Sequence, residues 1–394
     1  MKRFLLLCAA SALLIGCKSG HEVTISLENE TEFARSGEMV SLPADSVLAL
    51  LGSRYCYVTD HEGNEIPSQL THDGQLIFRA DVASGATATY TVLASDTLRA
   101  YSRLTGGRVY PERADDIAWE NELVGFRVYG PATQAKGEKA FGYDIFFKHP
   151  TPDQILEALY GPETDPATWQ KADSLRRIDP ALADEFVNSI SYHIDHGLGM
   201  DCYAVGPTLG DGVAAIVESD SLCFPWCYEK AEVLDNGPLR FTVKMQFAPV
   251  AIGSDSAVVE HRIISLNAGS HLNYCKVWYD GLSEAKRIAT GFPRRDDSEA
   301  VMDKANGLIA YSDPTQGPDN GKALLGVVLP VGADSVAEAS GHILAYTTVS
   351  PSDTLGYYWG FAWDKADVEN MAEWNDLLSG FAAVIQRPLR VTYH

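Results

Sequence analysis

The sequence predicts a mainly β protein with the architecture of a β-sandwich or barrel. Short runs rich in β-branched and aromatic residues recur along the chain, such as HEVTISLEN at 21–29, LRFTVKMQF at 239–247 and GHILAYTTV at 341–349. Turns rich in Gly, Asp, Asn and Ser separate these runs, as is typical of all-β proteins. In 239–247 apolar and polar residues alternate, which indicates one face on a core and one face in water.

Two stretches interrupt the strand pattern with helical spacing. Residues 151–190 start with Thr-Pro-Asp, a plausible helix start, and continue with the runs ILEALY, TWQKADSLRRI and PALADEFVNSI. Residues 364–383 have the same character. No convincing linker divides the chain after residue 17. We therefore expect one large β domain over 18–394, with a helical insertion near 151–190 and a short C-terminal helix.

The N-terminus has the features of an export signal. Lys2 and Arg3 precede twelve apolar residues, a run shorter than the roughly 20 residues needed to span a bilayer. Such a run is typical of a signal peptide. It ends in Leu-Ile-Gly-Cys17, which resembles a bacterial lipobox. We predict a lipoprotein signal peptide at 1–17, acylation of Cys17, and export to the periplasmic or outer-membrane face of the cell envelope. The alternative is an ordinary secretory peptide.

The charge limits the classes of partner. The formal net charge of −22 argues against nucleic acid and against acidic lipid as partners, so membrane contact is expected through the lipid anchor alone. An anionic small substrate remains compatible, because a local cluster of Arg or Lys reverses the sign of the potential within one cleft.

The strand around residues 119–129 carries the first candidate site. Alternation places residues 124, 126 and 128 on the buried face and Gly125, Arg127 and Tyr129 on the other. An Arg beside a Tyr suits a substrate carboxylate and a sugar hydroxyl. The alternative is that Arg127 pairs with a surface acid. Trp119, at the start of the strand, is expected to offer an aromatic platform for a sugar ring, and Glu120 and Asn121 polar contacts.

The second candidate site is the polar segment 192–203. His193 and His196, oriented by Asp195 or Asp201, suit general acid or base catalysis. A divalent metal held by His193, His196 and Asp201 is a weaker alternative, because no helix holds the spacing of the ligands. Hydrogen-bonded loop histidines without a catalytic role are the third interpretation.

Three blocks of sequence together resemble a known bacterial family, the domain of unknown function 4861 family. The blocks are DDIAWEN leading into FRVYGP at 115–131, YHIDHGLGMDCYAVGPTLG at 192–210, and YWGFAWD at 358–364. The resemblance implies a β-supersandwich of the galactose-mutarotase kind. It also implies a role in the use of acidic, pectin-like glycans, because family members occur beside hydrolases of unsaturated uronic-acid sugars in Bacteroidetes-type bacteria. It implies no mechanism.

The expected partner is therefore an acidic oligo- or polysaccharide, cleaved by a lyase or a glycoside hydrolase. Elimination needs a group that neutralises the carboxylate, such as Arg127, a base such as His193 or His196, and an acid such as Tyr129 or Tyr203. Hydrolysis needs two carboxylates instead. Expected substrate contacts are Trp119, Glu120, Asn121, Asp195, Asp201, Trp359 and Trp363. A non-catalytic glycan-binding protein is the alternative. No cofactor is expected, with a divalent metal as the weaker option.

Overall fold

The computed structural model describes residues 22–224 and 227–394. Cys17 and the signal peptide predicted at 1–17 lie outside the described residues. Among those residues, no helix has both the length and the apolar composition needed to cross a membrane. Strands make up 45% of the structure and helices 17%, which confirms the predicted mainly β class.

The elements before the helical insertion are mostly strands. They are β1 (Glu22–Glu28), β2 (Arg35–Pro43), α1 (Ala44–Leu51), β3 (Tyr55–Thr59), β4 (Glu65–Ile66), β5 (Ser68–Leu70), β6 (Gln75–Val82), β7 (Thr87–Ser95), β8 (Gly106–Tyr110), β9 (Asp116–Glu120), β10 (Gly125–Val128), α2 (Pro131–Ala135) and β11 (Asp144–Lys148).

The insertion and the strands after it complete the chain. They are α3 (Leu156–Thr164), α4 (Pro166–Ile178), α5 (Pro180–Asn188), β12 (Gly199–Met200), β13 (Ala214–Glu218), β14 (Ser221–Cys223), β15 (Tyr228–Asn236), β16 (Arg240–Phe247), β17 (Val250–Ile252), β18 (Asp255–Asn267), β19 (Leu272–Asp280), β20 (Lys286–Pro293), β21 (Ala300–Asp303), β22 (Leu308–Asp313), β23 (Ala323–Val328), β24 (Ser335–Ala339), β25 (His342–Val349), β26 (Leu355–Trp363), α6 (Met371–Gln386) and β27 (Arg390–Tyr393).

Residues 22–95 form a small sandwich with a core of their own. One sheet has the strand order β27-β1-β7-β3-β4 and the other β2-β6-β5, and α1 packs with them. The last strand, β27, closes this unit by pairing with β1, so that Ile25 faces Tyr393. The sequence prediction of one domain over 18–394 did not include this separate core.

The main body is the predicted supersandwich. A large sheet, β15-β16-β18-β19-β26-β23-β22-β21, shares a core with two five-stranded sheets, β12-β11-β10-β9-β8 and β14-β13-β20-β25-β24. Aromatic side chains fill the centre of that core. The ring centroids of Trp119 and Phe241 lie 5.9 Å apart in a stacked pair, and those of Phe126 and Trp359 lie 5.0 Å apart edge to face.

The helical insertion forms within the predicted range, but its first helix begins at Leu156 and not at the Thr-Pro-Asp of 151–153. Asp165 caps α4 by accepting a hydrogen bond from the Ala167 amide, and Asp179 caps α5 through the Ala181 amide. A proline follows each cap at the first helical position, where its missing N–H costs no hydrogen bond. The predicted C-terminal helix is α6, which Asn370 caps.

Helix α3 covers the outer face of the β8–β12 sheet. Its residues Leu159 and Tyr160 pack with Tyr110 and Phe146 in a small apolar cluster. The centroids of the Phe146 and Tyr160 rings lie 5.5 Å apart. This sheet therefore has the main core on one face and the insertion on the other, and the candidate site lies at the edge of that covered face.

Candidate functional site

Strand register places three charged residues on the outer face of the β8–β12 sheet. On β10, Arg127 lies opposite Ala118 of β9 and Asp144 of β11. Asp116, two residues before Ala118, is on the same face. The neighbouring positions, among them Phe126, face the main core. The predicted division of this strand into a core face and a polar face is thus confirmed, although the polar face is covered rather than open.

Three carboxylates surround the guanidinium of Arg127. Asp144 forms the nearest ion pair, Asp201 Oδ2 lies 3.5 Å from Nη1, and Asp116 Oδ2 lies 3.9 Å from Nε. The Tyr129 hydroxyl accepts a hydrogen bond from Nη2 of Arg127 at 2.7 Å and donates one to Asp144 Oδ2 at 2.9 Å. One positive charge is therefore shared among three acidic groups.

Burial makes two of these carboxyl groups weak acids. Burial raises the pKa of Asp116 to about 6, although the charge of Arg127 acts in the opposite direction. Burial likewise raises the pKa of Asp144 to about 7, against the effect of Arg127 and with a further rise from Asp201. The cluster therefore holds exchangeable protons near neutral pH, which is the range that acid–base catalysis requires.

Arg127 is also incompletely hydrogen-bonded. Among the described residues, its Nε and Nη1 atoms have no hydrogen-bond acceptor, although the side chain is buried. A buried guanidinium N–H without an acceptor is costly. An acceptor from outside the chain, such as water or a ligand, would remove that cost.

Most of this cluster lines an open cavity of about 410 Å³, called here the Arg127 pocket, whereas Asp144 is fully buried and does not line it. Five residues that the sequence predicts as site residues line it together: Arg127, Tyr129, His193, Asp201 and Tyr203. The other lining residues are Arg113, Ala114, Asp116, Thr133, Lys136, Glu138, Ala204, Val205, Gly206 and Gln316. The two sequence blocks that carry Arg127 and His193 therefore meet at one pocket.

The ring orientation of His193 suits it to accept a proton. Its Nδ1 lies 2.8 Å from the backbone carbonyl oxygen of Asp201. A carbonyl oxygen accepts hydrogen bonds and donates none, so Nδ1 carries the hydrogen and Nε2 of the neutral ring has the free lone pair. The side chain is exposed at the pocket, within reach of a bound molecule.

The two tyrosines of the pocket are proton donors rather than bases. Burial, reinforced by Asp144, raises the pKa of Tyr129 well above its usual range, and burial with the charge of Asp313 does the same for Tyr203. Tyr129 already donates its hydroxyl hydrogen to Asp144. The hydroxyl of Tyr203 has no hydrogen-bond partner among the described residues. The proton of the Tyr203 hydroxyl is therefore not committed to an acceptor among the described residues, although the hydroxyl itself is buried.

His196 and Asp195 do not join the pocket. His196 is exposed and is not among the lining residues, so the structure does not support its predicted catalytic role. Asp195 Oδ1 accepts hydrogen bonds from the amides of Gly197 and Gly199, and Oδ2 lies 2.8 Å from Nε2 of His149. The carboxylate of Asp195 therefore stabilises the turn and does not make the predicted substrate contact.

The predicted aromatic platforms are wrong. Trp119 and Trp359 are 0% exposed and Trp363 is 2% exposed, so none offers a ring face to a ligand. Trp119 donates its indole N–H to Asn273 Oδ1 at 2.9 Å, and Trp363 donates to the carbonyl oxygen of Asn320. Their rings fill the space between the sheets, where large apolar area gains most from burial.

Glu120 and Asn121 also have structural roles in place of the predicted substrate contacts. Glu120 accepts hydrogen bonds from Lys148 Nζ at 2.7 Å and from the amides of Ile155 and Leu156 at the start of α3. The Asn121 side-chain amide donates to two backbone carbonyl groups, and both residues are buried.

The weaker metal hypothesis gains no geometric support. Across residues 22–224 and 227–394, no group of three or more His, Cys, Asp or Glu side chains is arranged to hold a metal ion. Asp201 faces Arg127 instead, and His196 lies outside the pocket. The prediction that the protein needs no cofactor stays a prediction.

Sequence reasoning did not single out four residues that belong to the site: Asp116, Asp144, Arg113 and Lys136. Asp116 lies within the first resemblance block. Asp144 begins the run DIFFK, where an acid in an otherwise apolar strand is a signal of a buried charge partner. Arg113 and Lys136 carry no comparable signal, since isolated cations are common on any surface.

The whole chain has recognisable relatives. It matches the family described as "Domain of unknown function (DUF4861)" over residues 27–391 and belongs to that family, as the resemblance implied. A curated relative, "Uncharacterized protein P7" of Formosa agariphila, is 24% identical over 413 residues, which cover 98% of this chain and 97% of the relative.

Two solved structures are similar over most of this chain. One is an α-mannosidase from Enterococcus faecalis V583, with a TM-score of 0.47 and 8% identity over 95% of this chain and 46% of that one. The other is a protein in glycosyl hydrolase family 38 from Enterococcus faecalis, with a TM-score of 0.48, 8% identity, and 95% and 47% coverage. The chain spans about half the length of these two proteins.

Proposed function

We propose that this protein is an enzyme that cleaves glycosidic bonds in acidic, uronic-acid-containing oligosaccharides at the Arg127 pocket. The observation that supports this proposal is the placement of Asp116 and Asp201 around one guanidinium in an open pocket, with the pKa of Asp116 raised to about 6. A carboxyl group with a raised pKa next to a second carboxyl group is the arrangement that glycoside hydrolysis uses.

The spacing of these two carboxylates fits hydrolysis. Both lie within 4 Å of the same planar guanidinium, so the two oxygens that face it are at most about 10 Å apart and do not exceed the upper end of the roughly 5–10 Å range of glycosidases. In the proposed reaction Asp116 donates its proton to the leaving oxygen. Asp201 provides the second carboxylate, which activates water or attacks the anomeric carbon.

The acidic class of substrate follows from the cations of the pocket. Arg113 and Lys136 line it and form no salt bridge with any described residue. The charge of Arg127 is already shared among three acidic residues, so Arg127 adds little net attraction for an anion. We therefore assign the binding of the substrate carboxylate, predicted for Arg127, to Arg113 and Lys136. In a chain with a net charge of −22, such local cations are needed to attract an anion.

Elimination is the second candidate, and it has a specific observation in its favour. His193 has a free Nε2 lone pair, and the Tyr203 hydroxyl is unpartnered among the described residues. His193 would remove the proton alpha to the uronate carboxylate, and Tyr203 would protonate the oxygen that leaves as the double bond forms. The same pocket would serve both reactions.

The products distinguish the candidates. The purified protein is incubated with pectic oligosaccharides, and new reducing ends are measured together with the ultraviolet absorbance of unsaturated uronic acid. Reducing ends without absorbance show hydrolysis, and absorbance shows elimination. Asp116→Asn should strongly reduce hydrolysis, whereas His193→Ala should reduce elimination. Binding of an acidic glycan without any product would show a non-catalytic glycan-binding protein. The absence of both binding and product would contradict the proposal.

Export and lipid anchoring are part of the same proposal. The sequence Leu-Ile-Gly-Cys17 supports acylation of Cys17. A radiolabelled fatty acid should be incorporated into the wild-type protein and not into Cys17→Ser, which should leave the membrane fraction. Equal labelling of both forms would show that Cys17 is not the acylated residue.

A further inference from the structure

A second cavity, of about 580 Å³, adjoins the Arg127 pocket and is called here the Trp169 cavity. It shares Arg113, Ala114 and Lys136 with the Arg127 pocket, so the two cavities meet at these residues, and together they are called here the groove. The remaining lining residues are Glu112, Glu163, Thr164, Pro166, Trp169, Gln170 and Asp173. They come mainly from the end of α3 and the first half of α4.

Trp169 is the exposed aromatic residue of this groove. It is 42% exposed and is the only tryptophan among the strongly exposed apolar residues in the described part of the chain. Its indole N–H donates a hydrogen bond to the backbone carbonyl oxygen of Glu163 at 2.8 Å, which fixes the orientation of the ring. A fixed, exposed aromatic ring in a groove provides an apolar surface on which the C–H face of a sugar ring can pack.

The charges of the Trp169 cavity favour an anion despite its acidic residues. Glu112 is paired with Arg108 at 2.6 Å, and Asp173 with Arg176 at 3.0 Å. Arg113 and Lys136 have no such partner among the described residues, as noted above. Glu163, the third acid of the cavity, forms no salt bridge among the described residues; burial raises its pKa, and the charges of His193 and Arg113 lower it. The two charged residues that both cavities share are cations, which suits a carboxylate of a sugar that lies between them.

We propose that the Trp169 cavity is a second sugar-binding subsite, in which Trp169 stacks on one ring of an acidic oligosaccharide while the neighbouring part of the same chain occupies the Arg127 pocket. This inference rests on the proposed function of that pocket and extends it. The substrate is then an oligomer long enough to span both cavities, and the affinity for it depends on chain length.

The test compares a short and a long oligomer. Binding of a galacturonic acid dimer and hexamer is measured by titration calorimetry in wild type, Trp169→Ala and Trp169→Phe. Trp169→Ala should weaken hexamer binding about three- to tenfold, the range for one aromatic contact, and dimer binding less than twofold. Trp169→Phe should retain most of the affinity. Leu182→Ala is the control, because Leu182 is 43% exposed on the neighbouring helix α5 and lines neither cavity.

The outcomes separate the subsite from the catalytic proposal. Equal losses for both oligomers, or no loss for either, overturn the subsite whether or not cleavage occurs. A length-dependent loss without cleavage supports the subsite while the enzymatic proposal fails. Absence of binding by both oligomers to wild type overturns both. Thermal unfolding of each variant shows whether the fold is retained, and Trp169→Phe decides the result if Trp169→Ala does not fold.

Discussion

Two clusters of buried charge on the same sheet face differ in how completely they are hydrogen-bonded. In the first, Glu120 accepts three hydrogen bonds and Lys148 Nζ donates three, to Glu120, the Asn121 carbonyl and the Asp153 carbonyl. In the second, Arg127 faces three carboxylates and still has two nitrogen atoms without an acceptor. The first cluster is closed by α3, and the second borders a pocket.

This difference shows which buried charges serve the fold and which are available for chemistry. A buried ion pair whose donors and acceptors are all hydrogen-bonded has no free group to bind a ligand. The role of the Glu120–Lys148 pair is therefore to hold β9, β11 and α3 together. A cluster with excess carboxylates, raised pKa values and unused N–H groups favours the binding of an additional polar molecule. The following predictions test this distinction.

The largest effect is expected on activity at Asp116. Replacing Asp116 with Asn removes the carboxyl proton that hydrolysis needs, so the rate of release of reducing ends should fall about 10²–10⁴-fold. Asp115→Asn is the matched control, because Asp115 is adjacent but does not line the pocket. A loss of less than tenfold for Asp116→Asn would show that another residue is the acid.

The cluster of Glu120 and Lys148 should contribute to the free energy of unfolding. Lys148→Met leaves Glu120 buried without its cation, and we expect the free energy of unfolding to fall by about 3–5 kcal/mol. The double variant Glu120→Gln/Lys148→Met removes both charges and should be less destabilised than Lys148→Met. Urea denaturation measures both. Equal losses in the two variants would contradict an uncompensated Glu120 as the cause.

The cluster of carboxylates around Arg127 should make the free energy of unfolding depend on pH. The folded protein raises the pKa of Asp144 from 3.8 to about 7 and so holds its proton more tightly than the unfolded chain. The stability from this group is present at low pH and is lost as pH rises from about 4 to 7. From pH 5 to pH 8, the unfolding free energy of Asp144→Asn should therefore rise relative to wild type by on the order of 2 kcal/mol. If the difference in unfolding free energy between Asp144→Asn and wild type is the same at pH 5 and pH 8, Asp144 does not titrate in this range.

The smallest effect is expected at His196. Because its side chain lies outside the pocket, His196→Ala should change the rate of product formation less than twofold. His193→Ala, within the same segment, should reduce the rate of elimination at least about tenfold if His193 is the base. The same assays compare both variants, and equal losses would place His196 in the site.

Much of the fold could be read from the sequence, because its signals are local. The alternation of apolar and polar residues in 239–247 correctly predicts β16, where Phe241, Val243 and Met245 are buried and Lys244 is exposed. The helical insertion was predictable from the helical spacing of its runs, and the caps that the structure shows for α4 and α5 also act within one turn. The separate core of residues 22–95 was not predictable, because it forms where two sheets pack, and one of these sheets includes β27, more than 300 residues away from its partner β1.

The candidate site was only partly predictable. The sequence predicted five polar residues of the site that line one pocket in the structure: Arg127, Tyr129, His193, Asp201 and Tyr203. It could not tell Trp119 from Trp169. Both are tryptophans near polar residues, but sheet packing buries the first, and the second stands on the exposed surface of α4. Exposure is a property of the elements that surround a residue, so the residue's own neighbours in sequence do not determine it.

The sequence by itself determined the class of fold, the family, and the two segments that meet at the pocket. These follow from local periodicity and from long stretches of similar sequence. The tertiary structure alone decided which carboxylates share the guanidinium of Arg127, which charges are fully satisfied, and which aromatic ring faces solvent. Each of these depends on distances between residues far apart in the chain, and it is those distances, through burial and charge, that set the pKa values of Asp116 and Asp144.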